Sequence, residues 1–202
     1  MYAKNTWEKY KDQLNEVFDY NEGYKHYISK NKTERACVKD SIKLAEEKGF
    51  KPLESFDTLK SGDKVYVTNR GKNIALFIIG KKPLTEGMRI LGAHIDSPRM
   101  DLKQNPLYES EGFTLADTHY YGGIKKYQWV TIPLSLYGVV CKKDGTVVDV
   151  VIGEDENDPV VGISDLLIHL SADQLDKKAA KVIEGENLDV TLGNMPLFGE
   201  EK

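Results

Sequence analysis

Apolar residues recur at intervals of three and four near the start of the chain, which is the period of an amphipathic helix. Trp7, Tyr10, Leu14 and Val17 form this first stripe. A polar and aromatic stretch follows over residues 21–32. The pattern therefore predicts one helix at the start of the chain and an interruption before the next helix.

A second helix is predicted after this stretch. Thr33 is a favourable N-cap, Glu34 suits the positive end of the helix dipole, and Gly49 is a typical C-terminal stop. The residues expected on the buried side are Cys37, Val38, Ser41, Ile42 and Ala45. We expect Cys37 to be a small core residue, because the sequence implies no charged group beside it that would activate a thiol.

From Lys64 the apolar period changes to two, which is typical of a strand. Residues 69–72, Asn-Arg-Gly-Lys, have the composition of a turn, and residues 73–79 return as a second strand. The apolar run at 88–93 suits a short buried strand. Helices followed by strands indicate a layered α/β unit in this part of the chain.

The second half of the chain is predicted to be rich in β-structure, because proline and glycine divide it into short segments. The predicted elements are a strand-like run at 127–140 interrupted by Pro133, a hairpin turn at 142–145, strands at 146–152 and 188–192, and a short helix from Ser164 to Leu170. We therefore expect two domains, an α/β domain over residues 1–101 and a β-rich domain over residues 102–202.

The composition is that of a globular protein, with 30% charged and 40% hydrophobic residues among 202. The net charge of -4 argues against nucleic-acid binding, which favours a basic face. The apolar runs do not suggest a membrane protein, and the first ten residues lack the apolar stretch of a signal peptide. Two cysteines fit a reducing compartment. We expect a cytoplasmic protein that binds neither nucleic acid nor membrane.

Glycine-rich phosphate loops, His-Glu-x-x-His and Cys-x-x-Cys motifs do not occur in the sequence. The remaining candidate for a functional site is the segment His94-Ile95-Asp96. Residues i and i+2 of an extended segment point to the same side, so the imidazole and the carboxylate share a face at the end of the predicted strand. A carboxylate so placed can orient a metal-binding imidazole. The spacing alone leaves open the alternative of a hydrogen-bonded histidine at a strand end.

Three other positions carry two interpretations each. The segment 120–123, Tyr-Tyr-Gly-Gly, suits either close approach of the backbone to a ligand or a tight connection between strands. His119 follows Asp117 by two residues, and a loop histidine is the simpler interpretation. His169 lies within the apolar run 166–170, where a core or interface position is favoured over a catalytic one.

Residues 92–99, Gly-Ala-His-Ile-Asp-Ser-Pro-Arg, resemble the first metal motif of the aspartyl aminopeptidase family, metallopeptidase family 18. The segments 32–35 (Lys-Thr-Glu-Arg), 69–72 (Asn-Arg-Gly-Lys) and 121–123 (Tyr-Gly-Gly), the last followed by Trp129, resemble the same family in the same order. The resemblance is to a bacterial branch of the family and extends along essentially the whole chain.

This resemblance implies an exopeptidase that removes N-terminal residues, with a family preference for acidic ones, through water activated by two zinc ions. It implies that His94 is a zinc ligand and that Asp96 is the catalytic carboxylate that orients it. It also implies a partial α/β/α zinc-exopeptidase catalytic domain, followed by an inserted β-rich dimerisation domain, and assembly into homo-oligomers.

The resemblance covers only the N-terminal half of the family, because the remaining metal ligands and the general base lie in a C-terminal half. We therefore expect a fragment that is inactive alone, or alternatively a non-catalytic oligomerisation or binding module. In the larger branch a histidine of the inserted domain reaches a neighbouring active site. Asp165 stands at that position here, and His119 is the candidate substrate-binding substitute. The uncharged run 74–79 is expected to promote self-association.

Overall fold

The computed structural model describes residues 5–195, which fold as two compact units. The first unit ends at Ser97 and the second begins at Pro98. Within the described residues, no helix combines the length and the apolar character that crossing a bilayer requires. Helices dominate the first unit and strands the second, so the expected mixture of helix and strand is confirmed.

The first unit begins with three helices, α1 (Thr6–Lys9), α2 (Leu14–Lys30) and α3 (Glu34–Glu47). A single 3₁₀ turn, Lys11–Gln13, connects α1 to α2. The predicted interruption at 21–32 is wrong, because α2 continues through Lys30. Gly23 is the weakest helix former in this stretch, but one glycine costs only about 1 kcal/mol, and it does not end the helix.

Helix α3 confirms the second predicted helix and its cap. The Thr33 side chain accepts a hydrogen bond from the backbone amide of Ala36 at 3.2 Å, which satisfies one of the free amides at the start of the helix. Cys37, Val38 and Ala45 are buried, whereas Ser41 and Ile42 are half-buried. The prediction that Cys37 is a core residue is therefore confirmed.

The sheet of the first unit has the order β1-β2-β3, with β1 at Lys51–Pro52, β2 at Lys64–Asn69 and β3 at Asn73–Ile78. Strands β2 and β3 are antiparallel, with Val65 opposite Phe77. The predicted hairpin is confirmed, since both Arg70 (φ 53°) and Gly71 (φ 66°) have the positive φ of a type I′ turn. The Arg35 guanidinium donates to the Arg70 carbonyl at 3.1 Å and joins this turn to α3.

The buried strand predicted at 88–93 is wrong. Residues 88–98 are irregular. Ile90 is largely exposed, at 78%, and Leu91 is fully exposed, at 102%. Apolar composition favours a strand only where a neighbouring strand accepts its backbone hydrogen bonds. Among the described residues, no strand pairs with this segment.

The larger sheet of the second unit has the order β4-β5-β8, with β4 at Arg99–Ser110, β5 at Phe113–Tyr121 and β8 at Val190–Gly193. A bulge between Leu102 and Leu107 shifts the β4–β5 register. The buried core cluster on one side of this sheet comprises Ala116, Val130, Val161, Ile163, Ile183, Leu188 and Val190. The Thr118 hydroxyl, itself buried, donates to the carbonyl of Leu188.

A separate two-stranded ribbon joins β6 (Leu136–Cys141) to β7 (Val147–Ile152) through the predicted turn at 142–145, which is confirmed. The strand-like run predicted from 127 is wrong before Leu136. A 3₁₀ turn occupies Lys126–Gln128, and Thr131 has a left-handed φ of 62° that no strand accommodates.

The helix predicted from Ser164 to Leu170 is also wrong, because a single 3₁₀ turn, Ile168–Leu170, occupies its last part. Two short helices follow, α4 (Ala172–Leu175) and α5 (Ala179–Val182). Leu166, Leu167, Ile168 and Leu170 are more than half exposed. The run therefore has no buried side against which a helix would pack.

Candidate metal centre

His94 and Asp96 lie in the irregular segment that ends the first unit. Most of this segment is exposed to solvent, and the His94 side chain is 85% exposed. The Asp96 side chain is 40% exposed. Both groups are therefore at the surface of the first unit rather than in a dry interior.

The two side chains lie on the same side of the chain and contact each other. His94 Nδ1 is 3.2 Å from Asp96 Oδ1 and 3.1 Å from the Asp96 backbone oxygen. Both partners are hydrogen-bond acceptors, so Nδ1 is the ring nitrogen that carries the proton in this contact. A neutral imidazole in this tautomer keeps an unprotonated Nε2, which is the form that binds a metal ion.

The described residues do not complete a zinc site by themselves. A catalytic zinc ion takes about three protein ligands and a water molecule. Across residues 5–195, no group of three or more His, Cys, Asp or Glu side chains is arranged to hold a metal ion. The His94–Asp96 pair offers one imidazole hydrogen-bonded to one carboxylate, and this donor set is too small to fix a catalytic ion.

His119 belongs to the second unit, where it lies on β5 directly opposite Asp101 of β4. Its ring is exposed and stacks on the ring of Tyr120, with 5.6 Å between the centroids. The strand position replaces the loop position considered from the sequence. Of the two positions considered for His169, the core position is wrong, since the residue is exposed on the 3₁₀ turn Ile168–Leu170, and the interface position stays a prediction.

The Tyr-Tyr-Gly-Gly segment forms a close connection within the second unit. Gly122 has a φ of +82°, and a Cβ at this position would lie 3.7 Å from Pro98 Cα. The left-handed backbone alone accounts for glycine here. Arg99, next to Pro98, stacks its guanidinium 4.0 Å above the ring of Tyr121 and donates to Asp101 at 2.7 Å.

A polar cluster on the β4–β5 pair was not predicted from the sequence. Lys103 Nζ lies 2.8 Å from Glu186 and 2.9 Å from Asp117. The hydrogen bonds to Glu186 and Asp117 raise the pKa of Lys103. Nearby, Tyr108 donates to Asp189, and this hydrogen bond raises the pKa of the phenol to about 12. The only sequence signal was alternation of charged residues along β4, which is also typical of a solvated strand face.

The chain is similar to known proteins along nearly its whole length. The sequence model described as "Aminopeptidase I zinc metalloprotease (M18)" matches residues 27–200. A probable M18 family aminopeptidase 1 from Clostridium acetobutylicum is 59% identical, over 98% of this chain and 44% of that protein. The crystal structure of an M18 aminopeptidase from Thermotoga maritima has a TM-score of 0.91 at 45% identity, over 100% of this chain and 44% of that one.

The crystal structure of aminopeptidase I from Clostridium acetobutylicum has a TM-score of 0.83 at 57% identity and is covered over 45% of its length. The chain thus spans about 44% of the length of the curated relatives it matches. Sequence identity and fold similarity thus both extend along essentially the whole of this chain. The chain belongs to the M18 family of zinc metallo-aminopeptidases, in which it corresponds to the N-terminal half.

Proposed function

We propose that this chain is the N-terminal part of an M18 aminopeptidase that releases N-terminal residues from peptides, and that it contributes His94 as one zinc ligand. The observation that carries the proposal is the contact between His94 Nδ1 and Asp96 Oδ1 at 3.2 Å. A surface imidazole held in the tautomer that leaves Nε2 unprotonated is what a metal ligand requires. Asp96 is then the residue that positions the ligand.

The residues of this chain perform two tasks in this proposal. Asp96 accepts the proton of Nδ1 and thereby fixes the ring orientation, and His94 presents Nε2 to the ion. Zinc, when bound, supplies the Lewis acidity that activates water and the scissile carbonyl in such enzymes. We include in the proposal the two-zinc site and the acidic preference that the family resemblance implies.

Catalysis by residues 1–202 alone is not part of the proposal, because the described residues offer fewer ligands than a catalytic zinc ion needs. The remaining ligands are proposed to come from the part of the relatives that this chain does not span. In this arrangement the first unit is part of an α/β/α catalytic domain, peptides are the substrates, and the protein is cytoplasmic.

The second unit is proposed to be the inserted dimerisation domain of a homo-oligomer. Its exposed run Leu166–Leu170 and the valines of β7 provide the apolar surface that subunit contacts use. A distant neighbour of 24% identity and TM-score 0.66 is described as a dodecamer, which is a property of that protein. The alternative function, a non-catalytic oligomerisation or binding module, is favoured by the incomplete donor set alone.

A hybrid protein tests the proposal. Residues 1–202 are joined to the C-terminal part of the Clostridium acetobutylicum relative, which is 59% identical to this chain over its matched region. Hydrolysis of glutamyl, aspartyl and leucyl p-nitroanilides is measured with added zinc. We expect the hybrid to be active and His94→Ala to abolish both activity and binding of one zinc equivalent.

The Asp96→Asn variant tests the positioning role, and we expect a loss in zinc affinity of about 10–100-fold. His169→Ala is the matched control and retains zinc affinity, whereas His119→Ala raises KM if His119 contacts substrate. Full activity in His94→Ala would refute the assignment of the ligand. Hydrolysis by residues 1–202 alone would refute the argument from the incomplete donor set, and an inactive hybrid that still oligomerises would favour the module.

A further inference from the structure

A stiff connection follows directly after the pair His94 and Asp96. The chain passes from Asp96 through Ser97 and Pro98 to the first residue of β4. The ring of Pro98 fixes its φ at about −65°, and a residue that precedes proline is restricted to extended conformations. Few backbone torsions between Asp96 and β4 are therefore free to vary, so the position of the start of β4 limits where the Asp96 side chain and carbonyl can lie.

The start of β4 is held by contacts of its first residues. Arg99 lies directly opposite Tyr121 in the β4–β5 ladder, and its guanidinium stacks 4.0 Å from the centroid of the Tyr121 ring. Arg99 Nε also donates to Asp101 at 2.7 Å, which restricts the orientation of the planar guanidinium. The next residue, Met100, packs against the buried core of the second unit. The chain is thus fixed from Arg99 onward.

Pro98 lies beside the glycine that follows Tyr121. A Cβ at Gly122 would be 3.7 Å from Pro98 Cα and 3.8 Å from Pro98 Cγ. Because glycine has no side chain, the backbone after Tyr121 can approach the proline ring. We refer to Pro98, Arg99, Tyr121 and Gly122 together as the clamp.

The segment before the clamp differs from it in both exposure and pairing. Residues 88–94 are exposed, and within residues 5–195 none of residues 88–98 pairs with a strand. A segment with an exposed and unpaired backbone has low local stability unless its ends are held. The clamp supplies such a hold at the end that lies nearest to His94 and Asp96 in the sequence.

We propose that Arg99 is a positioning residue for the metal ligand. By stacking on Tyr121 it fixes the chain at Pro98, and it thereby maintains the contact of 3.2 Å between His94 Nδ1 and Asp96 Oδ1. This inference rests on the proposed role of His94 as a zinc ligand.

The physical basis is the entropy of ordering the ligand segment. Backbone residues that are fixed before an ion binds lose no further freedom when it binds, so a preorganised ligand binds more tightly. Arg99 does not contact the ion in this proposal. The alternative is that the stack stabilises only the β4–β5 pair, as other cross-strand pairs do.

Relaxation of ¹⁵N nuclei in the full, metal-free chain tests the clamp without any metal-dependent readout. We expect backbone order parameters of about 0.85 at Asp96 and Ser97 in the unmodified chain and below about 0.6 in Arg99→Ala. Tyr121→Leu is expected to give the same loss of order. Tyr121→Phe is expected to retain the order, because its ring keeps the face on which the guanidinium stacks.

Lys103→Ala is the matched control for Arg99→Ala. It removes an ion-paired cation from the same strand, further along the chain from the ligand. If the clamp acts locally, this variant leaves the order at Asp96 and Ser97 unchanged. Circular dichroism checks that every variant is folded, and the pair Tyr121→Leu and Tyr121→Phe gives the same comparison without a change of charge if Arg99→Ala does not fold.

Zinc titration of the hybrid protein measures the consequence for the metal site. Arg99→Ala is expected to weaken the binding of one zinc equivalent by at least about tenfold, which is the lower end of the effect of removing a group that orients a ligand. Lys103→Ala is expected to leave zinc affinity unchanged. Excess zinc is expected to restore the activity of Arg99→Ala, because no ligand has been removed.

Unchanged order at Asp96 and Ser97 in the folded variants Arg99→Ala and Tyr121→Leu would overturn the positioning role. An equal loss of order in Lys103→Ala would also overturn it, because the effect would then be a general loosening of the sheet. Failure of the proposed function is recognised separately, since His94→Ala would then leave zinc binding by the hybrid unchanged. If zinc binding depends on His94 and not on Arg99, only the positioning role is wrong.

Discussion

Truncation of Leu188 is expected to destabilise the second unit more than any comparable change at its surface. Leu188 is fully buried, at 0% exposure, in the cluster that includes Ala116, Ile163 and Val190. Its backbone carbonyl also accepts the hydrogen bond from Thr118. The side chain therefore fills the centre of the core at the point where the chain enters β8.

The magnitude follows from the atoms that Leu188→Ala removes. Three carbon groups leave the core, which at about 0.8 kcal/mol each is about 2.4 kcal/mol of lost transfer free energy. A cavity remains because Thr118 holds the backbone in place, so a total of about 3 kcal/mol is expected, within the range of about 2–5 kcal/mol for such changes. For a unit of this size, the melting temperature falls by roughly 12 °C or more.

Urea unfolding followed by tryptophan fluorescence measures the effect. Trp129 packs against the core of the second unit, and Trp7→Phe removes the other tryptophan, so the signal reports this unit. Leu175→Ala is the matched control, because the same atoms are removed from a side chain that is 67% exposed. The control is expected to change the free energy of unfolding by less than about 0.5 kcal/mol. Equal effects of Leu188→Ala and Leu175→Ala would refute the assigned core.

Three further outcomes are expected. Thr33→Ala removes the N-cap of α3 and lowers the free energy of unfolding of the first unit by about 1 kcal/mol, while Thr33→Ser retains it; equal loss in both would contradict the cap. Gly71→Ala destabilises the first unit by at least about 1 kcal/mol, because φ is +66° and the added Cβ would lie 3.2 Å from the Arg35 guanidinium; an unchanged urea midpoint would refute this. The hydrogen bond to Asp189 raises the pKa of Tyr108 to about 12, so its contribution to stability is complete below about pH 10 and is lost as the pH rises to about 12. Ultraviolet titration measures the pKa of the phenol, and Asp189→Asn is expected to bring that pKa back toward its ordinary value.

The contact between His94 and Asp96 could be predicted from their spacing in the sequence, whereas the full set of zinc ligands could not. The spacing of His94 and Asp96 indicated a shared side, and the two groups are in contact in the structure although the predicted strand is absent. An i, i+2 pair needs only a locally extended backbone. The number of zinc ligands could not follow from spacing, because ligands that share an ion come from segments distant in sequence.

Local chemistry was sufficient wherever an element is stabilised by its own neighbours in sequence. The Thr33 cap and the turn at Arg70 and Gly71 were predictable for this reason, since each depends on fewer than six residues. Only the tertiary structure decided the course of residues 88–98, the continuation of α2 and the exposure of the run Leu166–Leu170. Apolar sequence records a tendency to be buried, but burial and strand pairing require a second surface, and the position of that surface is a property of the folded chain.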